Sequence, residues 1–324
     1  MELPASLRAA LDTVLDGHAV AGIAAAGSRL SARYRAEVLD GRLHLDTDEA
    51  ARAYVATRLP ATYAAIRRAM DMLQETMDPL TPAPETLLDV GAGPGTALWA
   101  AADTWPELGA ATMVEASDPI RRVGQLLAEA SGVSHRRWLD GRAGDLVDKA
   151  ELADLVTLAY VLDELREGER DQLVDALWRK ARHLLLIVEP GTPAGWRRIL
   201  AARRRLLAQG ANIVAPCPHS QTCPLVGQDW CHFAVRLPRS RIHRLAKGAD
   251  APFEDEKFIF LAAARAPAPT AAARILAPPQ QGSGKVRLKL CRPDGRADDV
   301  LMTRRDGDAF KAARRAFWGD ALQT

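Results

Sequence analysis

The chain has 324 residues, of which 48% are hydrophobic and 26% are charged, and its formal net charge is +2. These values are ordinary for a globular protein with one full-sized core and smaller modules. The near balance of charge gives no overall reason to expect a nucleic-acid partner. The sequence contains no run of 18 apolar residues, so we expect no membrane contact.

The first part of the chain, residues 1–80, is rich in Ala, Leu and Arg and predicts a helical region. Its acidic residues Glu2, Asp12 and Asp16 make the N-terminus unlike a secretory signal or a transit peptide, so we expect a cytosolic protein with reduced cysteines. Pro60 marks a helix start. The segment Asp78–Thr86 holds three prolines and predicts a linker or an ordered turn.

From Thr86 onward, short apolar segments alternate with helical ones. Strands are predicted at Thr86–Val90, Ala111–Ser117, Asp154–Leu162 and His183–Pro190, with helices between them at Thr96–Trp105, Pro119–Ala130 and Glu169–Ala181. This alternation predicts a doubly wound parallel sheet. A later segment, Lys257–Arg265, is expected to return to the same sheet. The α/β core therefore comprises residues 83–210 and 255–266.

The last third of the chain predicts three further parts. A basic helix begins at Thr192, which suits the N-cap, and contains Arg197, Arg198, Arg203, Arg204 and Arg205. A cysteine-rich insertion covers residues 211–254. Residues 280–324 predict a basic hairpin, turning at Asp294 and Gly295, and a short helix. On the hairpin's first strand, alternation places Val286, Leu288 and Leu290 on one face and Cys291 on the other.

The sharpest motif is LLDVGAGPGT, Leu87 to Thr96, in which a strand, a glycine loop and a helix follow each other. Gly91, Gly93 and Gly95 let the backbone turn tightly and approach a ligand closely. Asp89 precedes the loop, and Glu115 ends the next strand, where a carboxylate can accept both ribose hydroxyl protons. This pattern resembles motif I of class I S-adenosylmethionine (SAM)-dependent methyltransferases. The alternative is a glycine-rich turn without a ligand.

The segment after the fourth core strand gives no acceptor signature. Amino-methylating enzymes of this fold often carry an Asn- or Asp-Pro-Pro-aromatic motif there, whereas this chain reads AYVLDEL, Ala159 to Leu165. Asp163 or Glu164 could act as a base, but each is equally explained as first-turn helix charge. The catalytic residues therefore stay unassigned.

The chain's four cysteines are Cys217, Cys223, Cys231 and Cys291. In a reducing compartment their clustering points to a metal site rather than to disulfides. Four thiolates suit zinc or an iron–sulfur cluster. The paired knuckles of structural zinc are missing, and His219 and His232 lie nearby as possible zinc ligands. Buried cysteines without a metal are the remaining alternative.

Several segments together resemble the methyltransferase-like assembly factors of the small ribosomal subunit, a family known from mitochondria with bacterial relatives. They are LLDVGAGPGT, YVLDEL, LLLIVEPGTP, the stretch from APCPH to WCHF, and the C-terminal LCRPDG and ARRAFWGD. The resemblance covers roughly residues 50–320. It implies a SAM-binding fold, a 4Fe–4S cluster held by Cys217, Cys223, Cys231 and Cys291, and association with the small subunit and its rRNA. It also implies that mitochondrial members have lost methyl transfer.

The N-terminus departs from the mitochondrial members and favours a bacterial one, so we expect a cytoplasmic bacterial protein. We also expect a monomer. Two basic stretches suit an RNA partner, because arginine and lysine neutralise phosphates without reading sequence. One is the helix after Thr192, and the other is the tail with Arg304, Arg305, Lys311, Arg314 and Arg315. An assembly factor with a structural cluster and an active rRNA methyltransferase both remain open.

Overall fold

The computed structural model describes residues 1–36, 43–78, 81–248, 250–267 and 272–322. In these ranges the α-helices are α1 (Ala5–Leu15), α2 (Val20–Arg35), α3 (Asp48–Thr57), α4 (Leu59–Gln74), α5 (Thr96–Thr104), α6 (Asp118–Ala128), α7 (Ala143–Leu146), α8 (Glu167–Lys180), α9 (Pro193–Ala208), α10 (Arg241–Lys247) and α11 (Gly307–Arg315). The strands are β1 (Thr86–Val90), β2 (Ala110–Glu115), β3 (His135–Asp140), β4 (Ala153–Ala159), β5 (Ala181–Pro190), β6 (Asn212–Ala215), β7 (Phe233–Pro238), β8 (Phe253–Ala264), β9 (Ala273–Ile275), β10 (Gln280–Gly282), β11 (Lys285–Cys291), β12 (Ala297–Thr303) and β13 (Ala321–Leu322).

The main sheet has eight strands in the order β3-β2-β1-β4-β5-β8-β6, with β7 also paired to β8. The strands from β1 to β5 are parallel, and Leu88 of β1 lies between Thr112 of β2 and Val156 of β4. The strand β8 runs antiparallel to β5. Helices connect the parallel strands, as is usual for the crossovers that parallel pairing needs. The predicted doubly wound, methyltransferase-like α/β core is confirmed.

One strand of this sheet, β3, has no counterpart in the sequence-based prediction. Its residues read HRRWLD, and none of them is fully buried. It lies at the sheet edge, where one side of a strand meets solvent and an apolar run is not needed. Hydrophobic patterning alone therefore gives little signal for β3.

The N-terminal helical region packs on the core. The helix α4 buries Tyr63, Ile66, Met70 and Leu73 almost completely, and it contacts α5, β7 and β8. Pro60 lies in its first turn, as predicted. Of the proline-rich segment predicted as a linker, Pro79 and Leu80 lie outside the described residues.

Residues 211–254 contribute two strands to the main sheet. The strands β6 and β7 both pair with β8, on the side away from β5. The segment between β6 and β7 carries Cys217, Cys223 and Cys231. These cysteines are therefore anchored at both ends by strands of the core.

The C-terminal part forms a second sheet in the order β10-β11-β9-β13, with β12 paired to β11. The strands β11 and β12 form the predicted hairpin. Val286, Leu288 and Leu290 are at most 1% exposed and pack in a small core of their own. Cys291 packs instead against the main core. The predicted alternation is confirmed, and Cys291 lies where the two cores meet.

Candidate functional site

A cavity of about 1550 Å³ opens beside the glycine loop. Gly91, Gly93 and Glu115 line it on the sheet side, and Tyr34 and Arg58 line it from the N-terminal helical region. Its volume exceeds the roughly 300–1,000 Å³ of ordinary ligand pockets. In doubly wound sheets, ligands bind at the carboxyl ends of the strands, and this is the edge that carries the loop between β1 and α5.

Two glycines shape the loop for different reasons. Gly91 has a φ of +69°, and a Cβ there would lie 2.4 Å from Cγ2 of Val161. Gly93 has a φ of +54°, but a Cβ there would meet nothing within 4 Å. Gly91 therefore permits close packing against the end of β4, whereas Gly93 leaves backbone exposed towards the cavity.

Glu115, at the end of β2, holds the loop in place. Its Oε2 accepts a hydrogen bond from the Gly93 N–H at 2.8 Å, and its Oε1 accepts one from the Ser117 N–H at 2.7 Å. Burial raises the pKa of Glu115, and the backbone hydrogen bonds oppose that rise. A carboxylate has about four acceptor positions, so the two N–H contacts leave capacity for a ligand in the cavity.

Asp89 and Gly95 lie behind the cavity wall. Asp89 is 1% exposed, and its Oδ1 accepts a hydrogen bond from the Thr157 hydroxyl at 2.7 Å. Burial raises the pKa of Asp89 to about 7. Gly95 has a φ of +77° and begins α5. The structure therefore brings Gly91, Gly93 and Glu115 to the cavity, while Asp89 and Gly95 support the loop.

The end of β4 contributes residues that the sequence did not single out. Tyr160 is a non-glycine residue with a φ of +59°, and it lines the cavity. Strained backbone of this kind persists only where the surroundings enforce it, and it clusters at functional sites. Its hydroxyl lies 3.4 Å from Oε1 of Glu256, which also pairs with Arg58 at 3.2 Å. No local sequence pattern predicts a positive φ at a tyrosine.

Glu164 also lines this cavity. Burial, followed by the charge of Asp163, raises the pKa of Glu164 to about 8. The Nε2 of His44 lies 3.8 Å from its Oε1. A carboxyl group held protonated near neutral pH can donate a hydrogen bond as well as accept one. Asp163 and Glu164, either of which could act as a base on the sequence alone, therefore both line the cavity, and the raised pKa of Glu164 favours its neutral form.

All four cysteines line a second, small cavity of about 30 Å³ below the main sheet's β8. Cys291 is buried, and the other three are partly buried. Burial raises the pKa of the Cys231 thiol well above its ordinary value, and the other three sulfurs add to that rise. Cys291, 60 residues beyond Cys231 in the sequence, is thus brought to the other three by the C-terminal sheet.

Thiol and imidazole groups, which are common metal ligands, surround this cavity. The Nε2 of His219 lies 3.4 Å from Sγ of Cys291, and its buried Nδ1 has no hydrogen-bond partner among the described residues. Within the ranges that the structure describes, no three or more His, Cys, Asp or Glu side chains are arranged to hold one metal ion.

The arginines predicted to form a basic face on α9 differ in their exposure. Arg198 and Arg203 are buried, and Arg198 pairs with Glu189 at 2.7 Å. Arg205 pairs with Asp171 and Asp175. Only Arg197 and Arg204 of the five are exposed. The tail differs, because Arg304, Arg305, Lys311, Arg314 and Arg315 are all exposed.

A family model described as mitochondrial small ribosomal subunit Rsm22 matches residues 48–323. The human protein named "Ribosome assembly protein METTL17, mitochondrial" is 30% identical over 287 residues, which cover 83% of this chain and 61% of that protein. The "Rsm22-cox11 tandem protein 2, mitochondrial" of Schizosaccharomyces pombe is 24% identical over 330 residues, covering 85% of this chain and 43% of that protein. The chain thus spans about two fifths to three fifths of the length of these relatives.

Among solved structures, the magnesium protoporphyrin IX methyltransferase of Synechocystis, with bound SAH, is 14% identical. The match covers 74% of this chain and 95% of that one, with a TM-score of 0.42. We draw nothing about activity from a likeness at this level.

The predicted bacterial cytoplasmic location is wrong, because these relatives are mitochondrial proteins and point to mitochondria instead. The acidic residues near Met1 do not decide the matter, since the relatives are longer than this chain. No helix in the described ranges is long and apolar enough to cross a membrane. From the match over residues 48–323, the chain belongs to the family of the mitochondrial small ribosomal subunit protein Rsm22.

Proposed function

We propose that this chain is a methyltransferase-like assembly factor that binds SAM, carries a 4Fe–4S cluster on its four cysteines and associates with the small ribosomal subunit through its rRNA. The observation that carries the proposal is the meeting of Cys217, Cys223, Cys231 and Cys291 around one cavity. Three of these residues lie between core strands, and the fourth lies on the C-terminal sheet. A metal group there would join the two parts.

The spacing of the cysteines in the sequence favours a cluster over zinc. Structural zinc sites usually carry paired cysteine knuckles, and this chain has none. A 4Fe–4S cluster takes one thiolate at each of its separate iron corners, so its ligands can come from segments spread along the chain. We assign Cys217, Cys223, Cys231 and Cys291 as the ligands. The group would contribute folding free energy by linking segments distant in sequence.

The glycine loop supports SAM binding. Gly93 presents exposed backbone to the cavity, and Glu115 keeps acceptor capacity at the end of β2. We propose that Gly91, Gly93 and Glu115 contact the ligand and that Asp89 and Gly95 hold the loop in shape.

The exposed cations of the C-terminal tail support an RNA partner. The relatives' names connect them with ribosome assembly and with the small ribosomal subunit. Arg304, Arg305, Arg314 and Arg315 lie exposed on the C-terminal module, where they could neutralise phosphates. We propose that the protein acts as a monomer with this face on the rRNA.

Anaerobic purification followed by iron, sulfide and zinc analysis tests the cluster. We expect a brown protein with about four irons per chain, and less than a quarter of that in Cys231→Ser. Co-sedimentation with small-subunit precursors at low salt tests the partner. Zinc in place of iron would overturn the cluster, and failure to co-sediment would overturn the ribosomal role.

An active rRNA methyltransferase is the second candidate. It is favoured by Glu164 and Tyr160, which line the same cavity as the glycine loop. Incubation of the cluster-containing protein with labelled SAM and immature small-subunit RNA decides between the two. Label transfer that is lost in Glu164→Gln would establish the enzyme, and no transfer to RNA would remove this candidate.

A further inference from the structure

Two arginines are buried beside the four cysteines. Arg203 comes from α9 and Arg274 from β9, and each is 3% exposed. Both line the cysteine cavity. A guanidinium remains charged at any physiological pH, and a buried charge is costly unless an opposite charge balances it. Two such cations beside an apolar cavity therefore require negative charge inside the cavity to balance them.

The contacts of Arg203 leave its charge unbalanced. Its Nη2 donates a hydrogen bond to the carbonyl oxygen of His219 at 2.8 Å. Among the described residues, its buried Nε has no hydrogen-bond partner. Within the same ranges Arg203 forms no ion pair with a carboxylate, although its neighbours Arg198 and Arg205 on α9 both do. Arg203 lines the same cavity as the Cys217 thiol.

Arg274 is held rigidly next to the same cavity. Its Nε donates to the carbonyl oxygen of Pro216 at 3.2 Å, and its Nη1 donates to that of Gly319 at 2.8 Å. In the part of the chain that the structure describes, its one ion pair is with Glu75 at 3.4 Å, and the Glu75 side chain is 39% exposed. That contact is partly screened by solvent, so it balances only part of the Arg274 charge.

We propose that Arg203 and Arg274 are the cationic partners of the metal group and that their charges stabilise its four thiolates. The inference rests on the proposed four-cysteine site. Four thiolates around a 4Fe–4S core in its oxidised state, or around zinc, leave two net negative charges in either case. Two buried guanidiniums match that charge. With neutral thiols, the cavity would hold two cations and no anion.

This role differs from packing because it predicts opposite effects from two substitutions. A buried cation stabilises the reduced, more negative cluster, so removing it moves the reduction potential to more negative values. Glu75 offsets part of the Arg274 charge, so removing the Glu75 carboxylate moves the potential to more positive values. A residue that only fills space would not shift the reduction potential in a direction set by its charge.

The test compares full-length, anaerobically purified variants by iron content, by the rate of cluster loss to a chelator, and by reduction potential. Arg203→Met should lower the potential and lose its cluster about 10- to 100-fold faster, as typical for partners of metal ligands. Arg203→Lys, which keeps the positive charge, should restore most of the reduction potential and most of the cluster's resistance to loss. Glu75→Gln should raise the potential. Arg205→Met, on the same helix but paired with Asp171 and Asp175, is the matched control.

The outcomes separate the two proposals. If the wild-type protein holds no iron, the proposed cluster fails. If the wild-type protein holds about four irons but Arg203→Met matches it in potential and in cluster loss, the cluster stands and the cationic role is overturned. If Arg203→Met does not fold, Glu75→Gln still tests the charge of Arg274, and a potential that does not rise in Glu75→Gln would overturn the cationic role. Shifts of the same sign in Arg203→Met and Glu75→Gln would also overturn it.

Discussion

The carboxylate of Glu115 accepts a hydrogen bond from the backbone N–H of Gly93, with 2.8 Å between Gly93 N and Glu115 Oε2. The contact ties the end of β2 to the tip of the glycine loop, although the two residues are 22 positions apart in sequence. One carboxylate therefore both shapes the loop and faces the ligand cavity. Substitution of Glu115 should therefore affect both the shape of the loop and the proposed contact with the ligand.

Glu115→Gln should weaken binding of S-adenosylhomocysteine about 10- to 100-fold. The amide keeps an oxygen for one backbone N–H but loses the charge that strengthens hydrogen bonds to ribose hydroxyls, each worth about 1.5–3 kcal/mol. Titration calorimetry measures the change. Glu107→Gln, at an exposed position after α5, serves as the control. Equal affinities in Glu115→Gln and wild-type protein would contradict the proposed contact between Glu115 and the ribose.

Two glycine substitutions should separate steric contact from backbone strain. Gly91→Ala and Gly93→Ala both force alanine to a positive φ, at a cost of about 1–2 kcal/mol. Only Gly91→Ala also brings a methyl group within 2.4 Å of Val161, which adds about 1–3 kcal/mol of overpacking. Urea denaturation should therefore find Gly91→Ala the less stable of the two.

Val161→Ala supplies the control for that comparison. In the Gly91→Ala background it should recover part of the lost free energy of unfolding, because it removes the methyl group in contact. In the Gly93→Ala background it should recover none. Equal stabilities of the two glycine variants would show that the loop relaxes around Val161.

The sequence predicted the α/β core and the glycine loop well because both depend on local patterns. Strand β1, its glycines and Glu115 are read from apolar runs and fixed spacings. The edge strand β3 was not predicted, because its HRRWLD sequence needs no apolar face. Tyr160 was not singled out from the sequence either, since its positive φ is imposed by the end of β4 and not by its own side chain.

The basic helix shows a limit of a different kind. Five arginines on α9 predict a charged outer face, yet Arg198 and Arg203 turn inward and Arg205 is paired. Only tertiary structure supplies the partners Glu189, Asp171 and Asp175. The charge count of a helix therefore gives no measure of its free charge, and the exposed tail is the better candidate for RNA.

Asp89 should make the stability of the protein depend on pH. Burial raises its folded-state pKa from 3.8 to about 7, so the folded protein binds a proton more tightly than the unfolded chain. Its contribution to the free energy of unfolding is present in full below pH about 4 and is lost as the pH rises to about 7. The loss is at most about 4 kcal/mol. The Asp89→Asn variant should not show this loss.

Urea denaturation between pH 5 and pH 8, roughly spanning that window, measures the effect as the difference between the wild-type and Asp89→Asn proteins. As the pH rises, we expect the free energy of unfolding of the wild-type protein to fall relative to that of the Asp89→Asn variant. Glu189, whose pKa burial raises to about 7, and Glu164 contribute to both proteins alike. Parallel pH profiles would show that Asp89 stays ionised in the folded state.

The salt dependence of RNA binding should report which arginines meet phosphate. Arg314 and Arg315 are exposed on α11, so a double substitution to alanine should lower the slope of log affinity against log salt by about 1.4–1.8. Arg205→Ala should leave the slope unchanged, because Asp171 and Asp175 already neutralise Arg205. Filter binding to small-subunit RNA at several salt concentrations measures both slopes. A change in the Arg205→Ala slope as large as that of the double variant would place the RNA along α9 and contradict the assignment of the tail.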